Sequence, residues 1–206
     1  MSRWLIAALL LVGTRAYAED ATNADRTPLQ TSTSAPADMS DQAIGASLGV
    51  AAGGRTTPGG LEIAGHYLYQ MTEQDWFDGV AAFTFGGGDA QCFRDRMNDF
   101  LCEHGLADGY SIELAANVRH FLGGNGDFWP FVRGGAGLAV VRFGDDGVTG
   151  AAIPLHAGGG LRVSVTPDIA VTAHADLELG IGLFNHSLGA EPQIGASVGA
   201  GAEFKL

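Results

Sequence analysis

Apolar and polar residues alternate with a period of two along nearly the whole chain from residue 43 to residue 206. A period of two places successive side chains on opposite faces of an extended strand, whereas an amphipathic helix repeats every 3.6 residues. The alternation is clearest between Ile169 and Leu183, where apolar residues at odd positions oppose polar residues such as Thr172 and Glu178. The pattern predicts an all-β protein.

Breaks in the alternation divide this region into eight predicted strands. They cover residues 43–52, 61–71, 76–85, 110–121, 129–143, 153–165, 169–183 and 193–206. Most of them reach the roughly ten residues that a β-strand needs to cross a bilayer. The connectors after the second, fourth and sixth strands are short, whereas the other links include the long stretch from residue 86 to residue 109. Alternating short and long connections are typical of membrane barrels.

Alternation alone does not say which face lies inside a closed barrel. A soluble lipocalin-like ligand-binding barrel would turn the apolar face inward, whereas a membrane barrel turns it outward. Many aromatic residues fall near the ends of the predicted strands, where membrane barrels carry girdles at the two interfaces. The predicted aromatic girdle consists of Tyr67, Tyr69, Trp76, Phe77, Tyr110, Phe121, Trp129, Phe143 and Phe204.

The opposite face of the strands carries charges of both signs together with many glycines. Small residues on this face leave room for charged side chains in a narrow lumen, where the opposite charges are expected to pair. The predicted lumen polar network consists of Glu62, His66, Glu113, Arg119, Arg133, His156, Arg162, His174, Asp176, Glu178 and Glu203. Its histidines and carboxylates also suit a metal site, but a hydrogen-bonded network is the interpretation we favour, and no metal is expected.

The first 18 residues have the three parts of a secretory signal peptide. Arg3 precedes an apolar run from Trp4 to Val12, and the segment ends on Ala16-Tyr17-Ala18. The apolar run is too short for a membrane-spanning helix, although an anchor helix is the alternative interpretation. Residues 19–42 are rich in Ala, Thr, Ser, Asp and Pro and are predicted to be a disordered periplasmic lead segment, so that the barrel occupies residues 43–206.

Two cysteines, Cys92 and Cys102, lie in the longest predicted connector. Export to an oxidising compartment favours a disulfide bond between them. A metal site that includes His104 is an alternative, but structural zinc sites usually have four ligands and closer cysteine spacing. A pair of free thiols is a further alternative.

The formal net charge of -12 excludes a protein that binds nucleic acid through phosphate contacts. The interior of an eight-stranded barrel is just wide enough for side chains to fill, so no open solute pore is expected. No cofactor is expected, because the sequence has no P-loop or other nucleotide-binding motif.

Two stretches, PFVRGGAGLAVVRF and PLHAGGGLRVSVTPDIAVTAHADLELGIG, resemble the paired C-terminal hairpins of small eight-stranded outer membrane β-barrel proteins. That superfamily includes the membrane domain of outer membrane protein A. The resemblance implies an antiparallel up-and-down transmembrane β-barrel in the outer membrane of a Gram-negative bacterium. In this family the last strand commonly ends on Phe and is read by the barrel assembly machinery, whereas here Leu206 is terminal and Phe204 shares its face.

We therefore expect a monomer in the cell envelope with a structural or surface-binding role, surrounded by outer membrane lipids and lipopolysaccharide. The disulfide-closed loop would face outward. We expect no enzyme and no catalytic residues, but some barrels that the chain resembles modify lipid A, so a lipid A acyl hydrolase or transferase is the alternative. The adjacent His186 and Ser187 are a poor candidate pair for it, because neighbouring residues on an extended chain point to opposite sides.

Overall fold

The computed structural model of the protein describes residues 42–54, 56–86, 91–94, 100–103, 109–143, 147–185 and 189–206. The predicted signal peptide (residues 1–18) and the lead segment (residues 19–42), apart from Gln42, lie outside these residues, as do His104, His186 and Ser187. Within the described ranges, no helix is long and apolar enough to cross a membrane.

The residues that the structure describes form ten β-strands, eight of which close into a barrel. They are β1 (Gln42–Gly53), β2 (Gly60–Gln70), β3 (Asp75–Gly86), β4 (Gln91–Arg94), β5 (Phe100–Glu103), β6 (Gly109–Phe121), β7 (Phe128–Arg142), β8 (Thr149–Thr166), β9 (Ile169–Phe184) and β10 (Gly189–Lys205). The order around the barrel is β1-β10-β9-β8-β7-β6-β3-β2, and β4 and β5 form a separate hairpin. Every pair is antiparallel, which confirms the predicted up-and-down barrel.

The strands are strongly tilted relative to the barrel axis. A circuit of directly paired residues that starts at Ala43 returns to β1 at Gly53, ten residues further along the strand. The circuit passes through Leu68, Asp78, Asn117, Gly135, His156, Glu178 and Gly195. Such a stagger accompanies strand tilt in every closed barrel. It brings side chains that are diagonal neighbours on successive strands to similar depths in the lumen.

Two barrel strands begin about four residues earlier than the sequence pattern predicts. β8 begins at Thr149 rather than near residue 153, and β10 begins at Gly189 rather than near residue 193. Pro192 lies in the β10 extension and Pro154 lies next to the predicted start of β8, and a proline weakens a strand prediction because it lacks a backbone N–H. Pro154 and Pro192 nevertheless pair with β9, opposite Gly180 and Ile181. The β4–β5 hairpin was also not predicted, since its strands have only four residues each.

Large apolar side chains cover the outside of the barrel, and the polar side chains point inward. Leu114, Leu138 and Leu177 are 66%, 67% and 62% exposed, whereas Asp78 and Arg119 are 0% and 2% exposed. The soluble lipocalin-like alternative is therefore wrong, because it requires the reverse arrangement. An apolar belt around a whole barrel is unfavourable in water and suits a lipid surrounding.

The aromatic girdle prediction is only partly right. Tyr67, Tyr69 and Phe204 lie on the exterior with exposed fractions between 42% and 47%, and Phe77 and Tyr110 are half-buried. Trp76, Phe121 and Phe143 are instead buried inside the barrel, and Trp129 packs against this interior cluster.

The error has a simple physical cause. The girdle was predicted from proximity to the strand ends, but the alternation also fixes the face on which a side chain lies. Trp76 has the same parity as Asp78, and Phe121 has the same parity as Arg119, so both rings point into the lumen. The position of a residue along a strand determines only its depth in the membrane. Its odd or even place in the alternation determines whether its side chain faces the lipid or the lumen.

Candidate functional site in the barrel lumen

A cluster of apolar side chains fills the lumen at the end of the barrel that carries both ends of the described chain. We call this cluster the aromatic plug. It consists of Ala43, Leu68, Trp76, Phe121 and Phe131, with Trp129 packed against it. Phe121 contacts Phe131 edge-on, with ring centroids 6.0 Å apart. Leu68 and Trp76 are both 0% exposed, so the plug is closely packed.

Asp78 is the centre of the ion-pair network above the plug. Its Oδ2 accepts hydrogen bonds from Arg119 Nη2 at 2.8 Å and from Arg133 Nη1 at 3.5 Å. Its Oδ1 lies 3.0 Å from His66 Nδ1. The predicted network omitted Asp78, although it alternates with Phe77 and Gly79 and its inward parity was readable from the sequence.

The network extends from Asp78 across the lumen to the opposite wall. Arg119 Nη1 donates to Glu203 Oε1 at 2.5 Å, and Arg162 Nε donates to Glu203 Oε2 at 3.2 Å. Arg133 donates to both carboxylate oxygens of Asp176, at 2.7 and 2.5 Å. Three guanidinium groups thus contact three carboxylates, and each pair is oriented by hydrogen bonds. Pairing of this kind offsets much of the cost of burying the charges.

The Arg119 guanidinium also lies over the ring of Phe131, 4.5 Å from the ring centroid. A cation over an aromatic face is attracted by the quadrupole of the ring. This contact joins the ion-pair network to the aromatic plug.

The remaining predicted lumen residues surround a cavity of about 70 Å³. His156 Nε2 lies 2.6 Å from Glu113 Oε1, and Glu62, His174 and Glu178 line the same cavity. The volume is sufficient for a few water molecules, and the walls are polar enough to bind them. In the part of the chain that the structure describes, no group of side chains is arranged to hold a metal ion. The structure thus places all eleven predicted residues in the lumen, in two adjoining groups.

The connector between β1 and β2 folds into the other end of the barrel. We call Thr56, Thr57 and Pro58 the inward loop, because all three are buried. Gln193 Nε2 donates to Thr56 O at 2.9 Å and to Thr56 Oγ1 at 2.8 Å, and Thr57 Oγ1 donates to Gln193 Oε1 at 3.1 Å. Nothing in the composition of this segment shows that it turns inward.

One chain of hydrogen bonds runs through three adjacent strands. Ser47 Oγ on β1 lies 3.0 Å from His66 Nε2 on β2, and His66 Nδ1 lies 3.0 Å from Asp78 Oδ1 on β3. All three residues are buried, and Ser47 and His66 line the cavity. The sequence alone does not connect these residues, because their contact depends on the barrel register.

The backbone of the β4–β5 hairpin places Cys92 directly opposite Cys102. This hairpin lies in the connector between β3 and β6, at the barrel end opposite the aromatic plug.

Neither a family model nor a curated protein sequence matches the chain significantly. Among solved structures, Neisserial surface protein A has a TM-score of 0.61 at 14% identity, with 81% of this chain and 98% of that chain covered. The N-terminal β-barrel domain of Pseudomonas aeruginosa OprF has a TM-score of 0.47 at 12% identity, covering 79% and 97% of the two chains. Outer membrane protease OmpT from Escherichia coli has a TM-score of 0.45 at 9% identity, covering 80% and 96%.

Of these three structures, only Neisserial surface protein A has a TM-score above 0.5. At 14% identity this similarity is evidence for the fold alone. It agrees with the closed eight-stranded antiparallel sheet. The chain therefore has the fold of the small eight-stranded outer membrane β-barrels.

Proposed function

We propose that the protein is a monomeric barrel of the Gram-negative outer membrane with a structural or surface-binding role. The observation that carries this proposal is the reversed polarity of the barrel, which is apolar outside and charged inside. Outer membrane lipids and lipopolysaccharide would surround the exterior, after insertion by the barrel assembly machinery. Pairing of β1 with β10 closes the sheet, so the barrel offers no open strand edge to a second copy.

The proposed binding element is the β4–β5 hairpin. The connectors at its end of the barrel are on average longer than those at the plug end, as in outer membrane barrels, whose long loops face outward. Residues directly opposite each other in an antiparallel pair have Cα atoms about 4.5 or 5.5 Å apart. Both values fall within the range of about 4.4–6.8 Å that a disulfide bond requires. The register therefore supports the disulfide between Cys92 and Cys102.

The hairpin proposal predicts how the two cysteines react in intact cells. A membrane-impermeant maleimide should label the protein only after brief treatment with a reductant, because the disulfide blocks both thiols and the hairpin faces outward. Labelling is measured by mass spectrometry of the purified barrel. The Cys92→Ser/Cys102→Ser double variant is the control and should stay unlabelled. Labelling without reductant would contradict the disulfide, and labelling only after cell lysis would contradict the outward position.

We also propose that solutes cannot pass through the barrel from one side of the membrane to the other. The aromatic plug fills one end of the lumen and the ion pairs of Arg119 and Arg133 cross its middle, while the inward loop narrows the other end. An interior filled by side chains leaves no continuous water path for a metabolite.

Liposomes that contain the purified barrel should therefore not swell in isosmotic arabinose, in contrast to liposomes that contain a general porin. Swelling is measured as the decrease in light scattering. An arabinose flux comparable to that of the porin liposomes would contradict the closed lumen.

The contact between Ser47 and His66 does not support a lipid A-modifying activity. Ser47 and His66 point into the lumen, whereas the acyl chains of lipid A lie against the opposite face of the strands. The pair His186–Ser187 lies outside the described residues.

A further inference from the structure

The contacts of Ser47, His66 and Asp78 have the atomic pattern of a serine hydrolase triad. In such triads the nucleophilic hydroxyl bonds to Nε2 of a histidine, and a carboxylate bonds to Nδ1 of the same ring. Here the corresponding distances are 3.0 Å from Ser47 Oγ to His66 Nε2 and 3.0 Å from His66 Nδ1 to Asp78 Oδ1. Triads are identified by this geometry and not by the order of the residues in the sequence.

The surroundings of Asp78 determine the direction of these hydrogen bonds. Asp78 contacts the guanidinium groups of Arg119 and Arg133, which favour its ionised form. An ionised carboxylate only accepts hydrogen bonds, so a His66 ring that carries a single proton has it on Nδ1, facing Asp78. His66 Nε2 is then an acceptor, and the Ser47 hydroxyl donates to it. This is the tautomer that a general base needs.

The hydroxyl and the ring also have access to open space. Ser47 and His66 line the cavity of about 70 Å³, together with Thr57 and Pro58 of the inward loop. Gly201 pairs directly with Ser47 on the neighbouring strand, and a Cβ at Gly201 would lie 2.9 Å from Ser47 Cβ. The same Cβ would lie 2.4 Å from Ala46 O, so glycine at this position allows the close approach of β10 to β1 beside Ser47. The cavity also contains Arg133, a cationic group that can stabilise developing negative charge.

We propose that Ser47, His66 and Asp78 form a hydrolytic site for small, water-soluble carboxylic esters. Ser47 and His66 are the catalytic residues, and Asp78 orients the imidazole. The small, polar cavity restricts the substrate to a short acyl group on a short alcohol, and its position in the lumen excludes membrane lipids. The site does not depend on the surface role of the β4–β5 hairpin.

The reaction proceeds in two balanced steps. Ser47 Oγ attacks the ester carbonyl while its proton moves to His66 Nε2, and this proton then leaves with the alcohol as the ester C–O bond breaks. Water next attacks the acyl group on Ser47 and gives one proton to His66 Nε2. Cleavage of the acyl bond releases the carboxylic acid, and the proton on Nε2 returns to Ser47 Oγ.

The first test uses methanesulfonyl fluoride, a reagent small enough for this cavity. It should attach a methanesulfonyl group to Ser47 of the folded, detergent-solubilised full chain, with release of fluoride. Ser111 and Ser197 line the same cavity, and among the described residues neither has a histidine ring nitrogen as a hydrogen-bond partner, so they serve as internal controls. Peptide mass spectrometry should find the label at Ser47 at least tenfold above either control serine.

The second test removes the base and measures turnover. His66→Gln should slow labelling of Ser47 by about 100-fold or more, the lower range for general base catalysis. Hydrolysis of methyl acetate, followed by NMR, should disappear in Ser47→Ala and in protein that has been fully sulfonylated. Heat-modifiable gel migration verifies that each variant is folded. Absence of label at Ser47, equal labelling of Ser47, Ser111 and Ser197, or methyl acetate hydrolysis that survives in folded Ser47→Ala would overturn the proposal.

Discussion

Replacing Asp78 with asparagine is expected to lower the free energy of unfolding by about 3–5 kcal/mol, as is typical when one partner of a buried ion pair is removed. The side chain keeps its shape, but it loses the charge that faces two guanidinium groups. Arg119 would retain Glu203, and Arg133 would retain Asp176. The remaining network would then contain three arginines and two carboxylates in a lumen that admits little water.

The measurement is a urea titration of the barrel in phospholipid vesicles, monitored by tryptophan fluorescence. Trp76 lies two residues from Asp78 in the aromatic plug and reports on loss of the interior packing. Asp75→Asn is the matched control, because Asp75 lies on the same strand and also contacts a histidine, His120, at 2.7 Å.

The Asp75 pair is solvent-exposed, with side-chain exposures of 42% for His120 and 38% for Asp75. Exposed ion pairs contribute about 0–1 kcal/mol, so Asp75→Asn should cost no more than that. Equal effects of the two substitutions would contradict the central role of Asp78 in the lumen.

The alternation of residues made the fold predictable, because a period of two is a local property that determines which face each side chain occupies. Leu177 and Glu178 could be assigned to opposite faces from the sequence alone. The eleven predicted lumen residues point inward for the same reason. The contacts between these side chains could not be predicted from the alternation, because the stagger of ten residues between Ala43 and Gly53 determines which side chains meet across the lumen.

Two features depend on geometry that no local pattern contains. Gln193 meets Thr56 and Thr57 because a connector turns inward, and connectors of similar composition also turn outward. Ser47 meets His66 only through the diagonal offset between β1 and β2, in which Ser47 pairs with Ala64. Trp76 is a different case, because its place in the alternation, two residues before Asp78, is readable from the sequence and predicts an inward side chain.

The lipid-facing exterior leads to the second large expected effect. Leu177 lies in the middle of β9, is 62% exposed and pairs with Ala157 and Ala196. Arginine at this position would lie in the hydrocarbon region, and its paired neighbours offer it no acidic side chain. We expect Leu177→Arg to lower the free energy of unfolding in phospholipid vesicles by about 2–4 kcal/mol, the range for arginine near the midplane of a bilayer.

Leu122→Arg is the matched control for this experiment. Leu122 is 60% exposed, nearly as much as Leu177, but it follows β6 immediately, at the plug end of the barrel. Near an interface the cost of arginine falls to about 0–1 kcal/mol, because the guanidinium reaches water and lipid headgroups. In a barrel surrounded by water, both substitutions would replace an exposed leucine with a solvated arginine and neither would be costly. A large difference between two equally exposed leucines therefore requires an apolar solvent around the middle of the barrel, whereas two small and equal effects would contradict the membrane position.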